Sequence, residues 1–258
     1  MPFDLWQTVG IVVVVFLATV LQSATGFGFG MVAMAALPVF LPFPAVSMGL
    51  PLLLVPMLLV NFAARREGFR WRPMVPMLLG VALGIPPGVY LLGAAPEELL
   101  KRVLGAVLLV SAALRLLKAG GRPAATPEVG AEIAPASSPW DRWLAPASGF
   151  ACGVLGGAFN TGGPPVIYYL YGRPWPVGQI IASLQILFLL SAVLKLALGA
   201  GTGLLDKSAV ALALAGALPM LAGIYGGIRL GARIPGSALR AGAFAFIAVF
   251  GGQLLIFG

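Results

Sequence analysis

The sequence predicts an all-α integral membrane protein, with eight hydrophobic segments in two repeats of four and with the first and fifth segments broken. Three observations predict it. Of 258 residues, 60% are hydrophobic and only 9% charged, whereas a soluble domain carries about 25% charged residues. Charged side chains are absent from Leu5 to Ala64 and again from Trp143 to Gly172, runs longer than the ~20 residues of one membrane crossing. Short motifs of the first half also return, in order, in the second.

Taken along the chain, the first segment covers 5–41 and is interrupted at 22–30 by QSATGFGFG. The second covers 44–64, and the basic stretch RREGFRWR separates it from a third at 73–95 and a fourth at about 97–118. Residues 119–139 are rich in Ala, Pro, Gly and Ser, the composition of a flexible linker. A fifth segment at about 143–172 is interrupted by NTGGPP, and three more follow at 174–200, 207–228 and 235–257. The chain therefore divides into a first transmembrane repeat (1–118), a cytoplasmic linker (119–139) and a second repeat (140–258). GVYLLGAAPEELLKR (88–102) lies on GIYGGIRLGARIPGSALR (223–240), and ATGFGFG (24–30) on NTGGPPV (160–166), through shared Gly, Tyr, Pro and Thr-Gly positions.

The 16 Lys and Arg outnumber the 8 acidic residues, and histidine is absent. They cluster between apolar runs, the pattern that orients a membrane protein, not the stripe of a nucleic-acid module. The N-terminus has Asp4 where a secretory signal would carry a cation, so the first segment is expected to stay in place. Cys152, the single cysteine, allows no internal disulfide or metal cluster and reads as a packed small residue. The broken segments are either single interrupted spans or re-entrant hairpins. With hairpins the cations divide 12 against 4 across the membrane, with single spans 10 against 6, so the positive-inside bias favours hairpins. The two halves then have opposite orientations, the inverted-repeat plan of transporters with midplane sites made by discontinuous helices. Both termini fall outside.

Backbone that leaves helical geometry in a membrane is tolerated where it is buried in protein or faces a polar cavity. In the second break, Pro164 and Pro165 suit the first turn of a new helix, Asn160 and Thr161 are placed to cap it, and Gly162 and Gly163 permit a tight turn and close approach of backbone to a ligand. In the first, Gln22, Ser23 and Thr25 stand ahead of Gly26, Gly28 and Gly30. Two inverted tips meeting at mid-depth would present helix N-termini, amides and hydroxyls to a small anion. Gly26, Gly28, Gly30, Gly153, Gly156 and Gly157 fit close helix packing equally well. Gln185 either faces the same cavity or makes an interhelical hydrogen bond. Tyr90 and Tyr225 read as packing or interfacial residues, and Lys101, Arg115 and Lys195 as snorkelling cations near segment ends.

All eight carboxylates lie at segment ends or in loops. Intramembrane hydrolysis lacks a catalytic set, and proton coupling lacks the usual relay; any coupling is expected to run through the substrate's own titration. LQSATGFGFG, GVLGGAFNTGGPPVIYYL and the IYGGIRLGARIP…LR ending resemble the sulfite exporter TauE/SafE family, also called the 4-toluene sulfonate uptake permease family. The resemblance spans essentially the whole chain. It implies transport of sulfur oxyanions or small organic anions such as sulfite or sulfoacetate across the inner (plasma) membrane. Many members keep a more glycine-rich second motif, where this chain has Asn160-Thr161 and Pro164-Pro165. The expectations are a multi-pass secondary transporter, or alternatively a passive anion conduit, with no enzyme activity, metal or cofactor. Its partners are a small anionic substrate, the lipid bilayer and a possible homodimer, and not nucleic acid.

Overall fold

The computed structural model describes residues 3–64, 66, 69–119, 141–173, 175–231 and 236–257. Every regular element among them is helical. Apolar chain with no water for its backbone satisfies its N–H and C=O groups within each segment, and the helix does this locally.

The first segment forms α1 (Leu5–Thr25), a break, then α2 (Phe29–Ala36) and a short 3-10 turn at Leu37–Val39. The chain reverses at the break and folds back along α1. Phe40 lies beside the start of α1, its ring 4.9 Å from that of Trp6 and its carbonyl accepting from Gln7 Nε2 at 3.1 Å. α3 (Phe43–Ala63), α4 (Val75–Ala94) and α5 (Glu97–Ala119) complete the first half. The second half repeats the order as α6 (Asp141–Phe159), a break, α7 (Gly163–Tyr171), α8 (Val177–Thr202), α9 (Lys207–Gly231) and α10 (Gly236–Phe257). Apart from Ala119, which ends α5, the expected linker lies outside the described residues.

By length and composition, five helices among the described residues can cross a membrane: α1, α3, the run Arg72–Ala94, α8 and Lys207–Arg229 of α9. Their outward faces carry large apolar side chains such as Leu79, Leu83, Leu214 and Leu218. The protein is a multi-pass membrane protein.

The broadest contacts join one half to the other. α4 packs on α6, α1 on α9, α3 on both α8 and α9, and α5 on α10. The α4–α6 seam explains much of the glycine content. Gly80, Gly84 and Gly88 face Gly149, Gly153 and Gly157, and a Cβ at any of these would strike the partner helix's backbone. Small residues at four-residue spacing let helices approach where burial in lipid gives no hydrophobic drive. Gly153 and Gly157 are therefore packing residues. Among the described residues the apolar interior forms two clusters, and Phe188 packs against both.

Candidate functional site

In the first break, Gly26 (φ +88°) and Gly28 (φ +113°) take left-handed backbone that only glycine adopts readily. Gln22 bridges the gap. Its Nε2 donates to the Gly26 carbonyl and its Oε1 accepts from the Phe29 amide, both at 3.1 Å. The Thr25 hydroxyl lies 2.9 Å from the carbonyls of Leu21 and Phe27, another clasp on the turn. Asn61 Nδ2 of α3 donates to Ser23 Oγ at 3.5 Å. Gln185 Nε2 of α8 donates to the Gly26 carbonyl at 2.9 Å, so of its two readings the structure shows the interhelical bond.

The second break turns at Asn160 (φ +55°), the one described non-glycine residue with positive φ, not at the glycines where the sequence placed it. Gly162 instead presses against Cys152, where a Cβ would meet its carbonyl. The expected caps are absent, since no side chain caps the first turn of α7. The prolines account for this. Pro164 and Pro165 have no amides for a cap to satisfy. Thr161 is fully buried, its amide donating to the Leu155 carbonyl at 3.3 Å and its hydroxyl without a partner. Asn160 faces elsewhere. Its Nδ2 donates to the Ser47 carbonyl of α3 at 2.9 Å, and its Oδ1 accepts from Lys195 Nζ at 3.1 Å.

Lys195 corrects the sequence reading most. It does not snorkel: it is 1% exposed, in the interior of α8. Its Nζ also donates to Ser47 Oγ at 2.7 Å and to the Gly156 carbonyl at 3.4 Å. No carboxylate lies within ion-pair distance of it among the described residues. The signal was its stripe: Phe188, Ser191, Ala192 and Lys195 share one face of a helix. Ser47 and Ser191 were missed as site residues, and Lys195 was read as a snorkelling cation instead of a buried one. Lys101, by contrast, pairs with Glu97 at 3.0 Å at the start of α5. Tyr90 and Tyr225 point outward, 77% and 59% exposed. The side chain of Arg115 lies outside the described set.

Between the breaks is a cavity of about 40 Å³, its polar lining including Gln22, Asn160 and Ser191, room for roughly three waters. Gly30 touches the Asn160 carbonyl, so the two breaks meet there. Their tips overlap rather than meeting end to end. On α3, Ser47 reaches the second break and Asn61 the first, roughly 21 Å apart at 1.5 Å per residue. On α8 the order is reversed, with Gln185 at the first break and Lys195 at the second. α3 and α8 thus run antiparallel between the breaks. The cavity lies level with Leu54, near the middle of α3.

Several candidate residues line this space: Gln22, Asn160, Gly162 and Gly163, with Gly28, Gly30 and Gly156. Ser23, Thr25, Gly26, Thr161, Pro164 and Gln185 do not, and mostly build or tether the breaks. Phe29's amide is taken by Gln22, while those of Gly30 and Met31, in the first turn of α2, have no intrahelical acceptor. Chemically, this is a small pocket with neutral donors at its walls and a buried lysine behind Asn160, a suitable place for an oxyanion. Nothing in it suits a metal, and no group of three or more metal-binding side chains occurs among the described residues.

The profile of the family described as "Sulfite exporter TauE/SafE" matches residues 11–254. The chain belongs to that family. Among TauE/SafE relatives, it is 28% identical over 210 residues to a Cupriavidus necator protein described as "Probable sulfite/organosulfonate exporter TauE", covering 79% of this chain and 75% of that one. No solved structure matches this TauE/SafE chain.

Proposed function

We propose that the protein is a secondary transporter that moves a small anion, a sulfur oxyanion or organosulfonate, across the inner membrane through the cavity between its breaks. The observation that carries this reading is Lys195, a buried lysine with no carboxylate in ion-pair distance among the described residues, held by Asn160 at the wall of a polar cavity. A lone charge inside a membrane protein is expensive and marks an ion pathway. Family membership and the exporter relative supply the chemical class of the cargo.

The re-entrant, inverted arrangement belongs to the same reading. The return of Phe40 to Gln7 supports a hairpin that enters and leaves on one side. The opposite directions of α3 and α8 support opposite orientations of the halves. Taking Lys195 out of the minority side leaves the cations divided 12 against 3, which strengthens the hairpin assignment.

Counterflow in proteoliposomes tests the function. Sulfite uptake should saturate and should accelerate when sulfite is preloaded inside. Uptake no faster than in empty liposomes defeats the proposal; uptake that neither saturates nor responds to preloading identifies a passive conduit instead.

A further inference from the structure

Resting on the reading of the cavity as the anion site, we infer that its cargo is a monoanion, and that Lys195 is the residue that sets this charge preference. The hydrogen bonds define the lysine's form. The Ser47 hydroxyl donates to the Ala158 carbonyl at 2.8 Å, so towards Lys195 it can only accept. Asn160 Nδ2 is committed to the Ser47 carbonyl, which turns Oδ1 to the lysine. With the Gly156 carbonyl, Nζ faces three acceptors. Three acceptors match the three N–H donors of an ammonium group.

That gives the site one fixed positive charge. None of the residues lining the cavity is ionisable, so nothing else there balances or adds to it. The remaining donors, the amides of Gly30 and Met31 and the Ser191 hydroxyl, bind oxygen atoms without changing the net charge. One negative charge on the cargo makes the loaded site neutral. A second leaves a net charge in the membrane interior, where an unpaired ion carries several kcal/mol of desolvation. The desolvation of an ion grows with the square of its charge, whereas its attraction to a single lysine grows only linearly. The site therefore favours hydrogensulfite and simple sulfonates over sulfate and doubly charged sulfoacetate.

Calorimetric titration of the purified full chain at constant ionic strength tests this, with methanesulfonate and sulfate as probes of similar shape. Methanesulfonate should bind about tenfold or more tightly than sulfate, a difference of about 1.4 kcal/mol or more. Lys195→Arg should keep that order. Asn160→Asp, nearly identical in shape, places a resident anion against Lys195 and should abolish methanesulfonate binding. Sulfate binding as tightly as methanesulfonate overturns the charge preference, as does Asn160→Asp binding within about twofold of the wild type. Failure of both probes to bind folded wild-type protein removes the cavity reading itself, and this inference with it.

Discussion

At the scale of single residues, polar groups at the breaks divide into those that hold the turn and those that face the cavity. Thr25 belongs to the first kind. Thr25→Ala removes its clasp on Leu21 and Phe27, so a loss of about 1 kcal/mol of stability is expected, with methanesulfonate affinity unchanged by calorimetry. Asn160 belongs to the second. A non-glycine residue at positive φ stores roughly 1–3 kcal/mol of strain, sustained here by its bonds to Ser47 and Lys195. Asn160→Gly relieves the strain and deletes both bonds. Its thermal stability should stay close to wild type while anion affinity falls about tenfold or more; a stable variant that binds normally would place the site elsewhere. Asn160 was legible from sequence because polar residues beside a Thr-Gly-Gly-Pro-Pro run are conspicuous in an apolar segment. Lys195 was not, because its distance from the helix end equally suits a stem that snorkels. Only the positions of Ser47, Gly156 and Asn160 around it decide between these, and all three lie 35 or more residues away in sequence.

At the scale of elements, helices and breaks could be read directly, since lipid permits little besides helix and Gly-Pro clusters interrupt it. The partners of each helix could not, because glycine spacing fits both a packing seam and a binding surface. The α4–α6 seam gives a clear expectation. Gly84→Val places methyl groups against the Phe150 carbonyl and Gly153, and overpacking of about 1–3 kcal/mol should lower the melting temperature by about 5 °C. Gly178 of α8 has open space where a Cβ would stand, so Gly178→Ala should stabilise by up to ~1 kcal/mol through helix propensity. Equal responses at both positions would argue against the seam.

At the scale of the whole molecule, the charge count indicated orientation but could not show how the halves engage. Their interlocking, α1 with α9 and α4 with α6, is a tertiary fact that short repeat motifs do not encode. If the halves are inverted around re-entrant hairpins, both ends of the first hairpin lie outside. In a Cys152→Ala background, cysteines replacing Gln7, Phe40 and Asp206 should react with a membrane-impermeant maleimide in intact cells, and one replacing Arg72 only after lysis. Labelling of Gln7→Cys and Phe40→Cys from opposite sides would mean an interrupted single span.

All three scales converge on the space between the breaks. The most direct measurement is a diffraction experiment on crystals of the protein grown with selenite, the heavier analogue of sulfite, at the selenium absorption edge. The anomalous peak should lie between Gly30, Asn160 and Ser191, on the cavity side of Asn160, with Lys195 on its other side. A peak elsewhere, or an empty cavity in protein shown to transport selenite, would contradict the account.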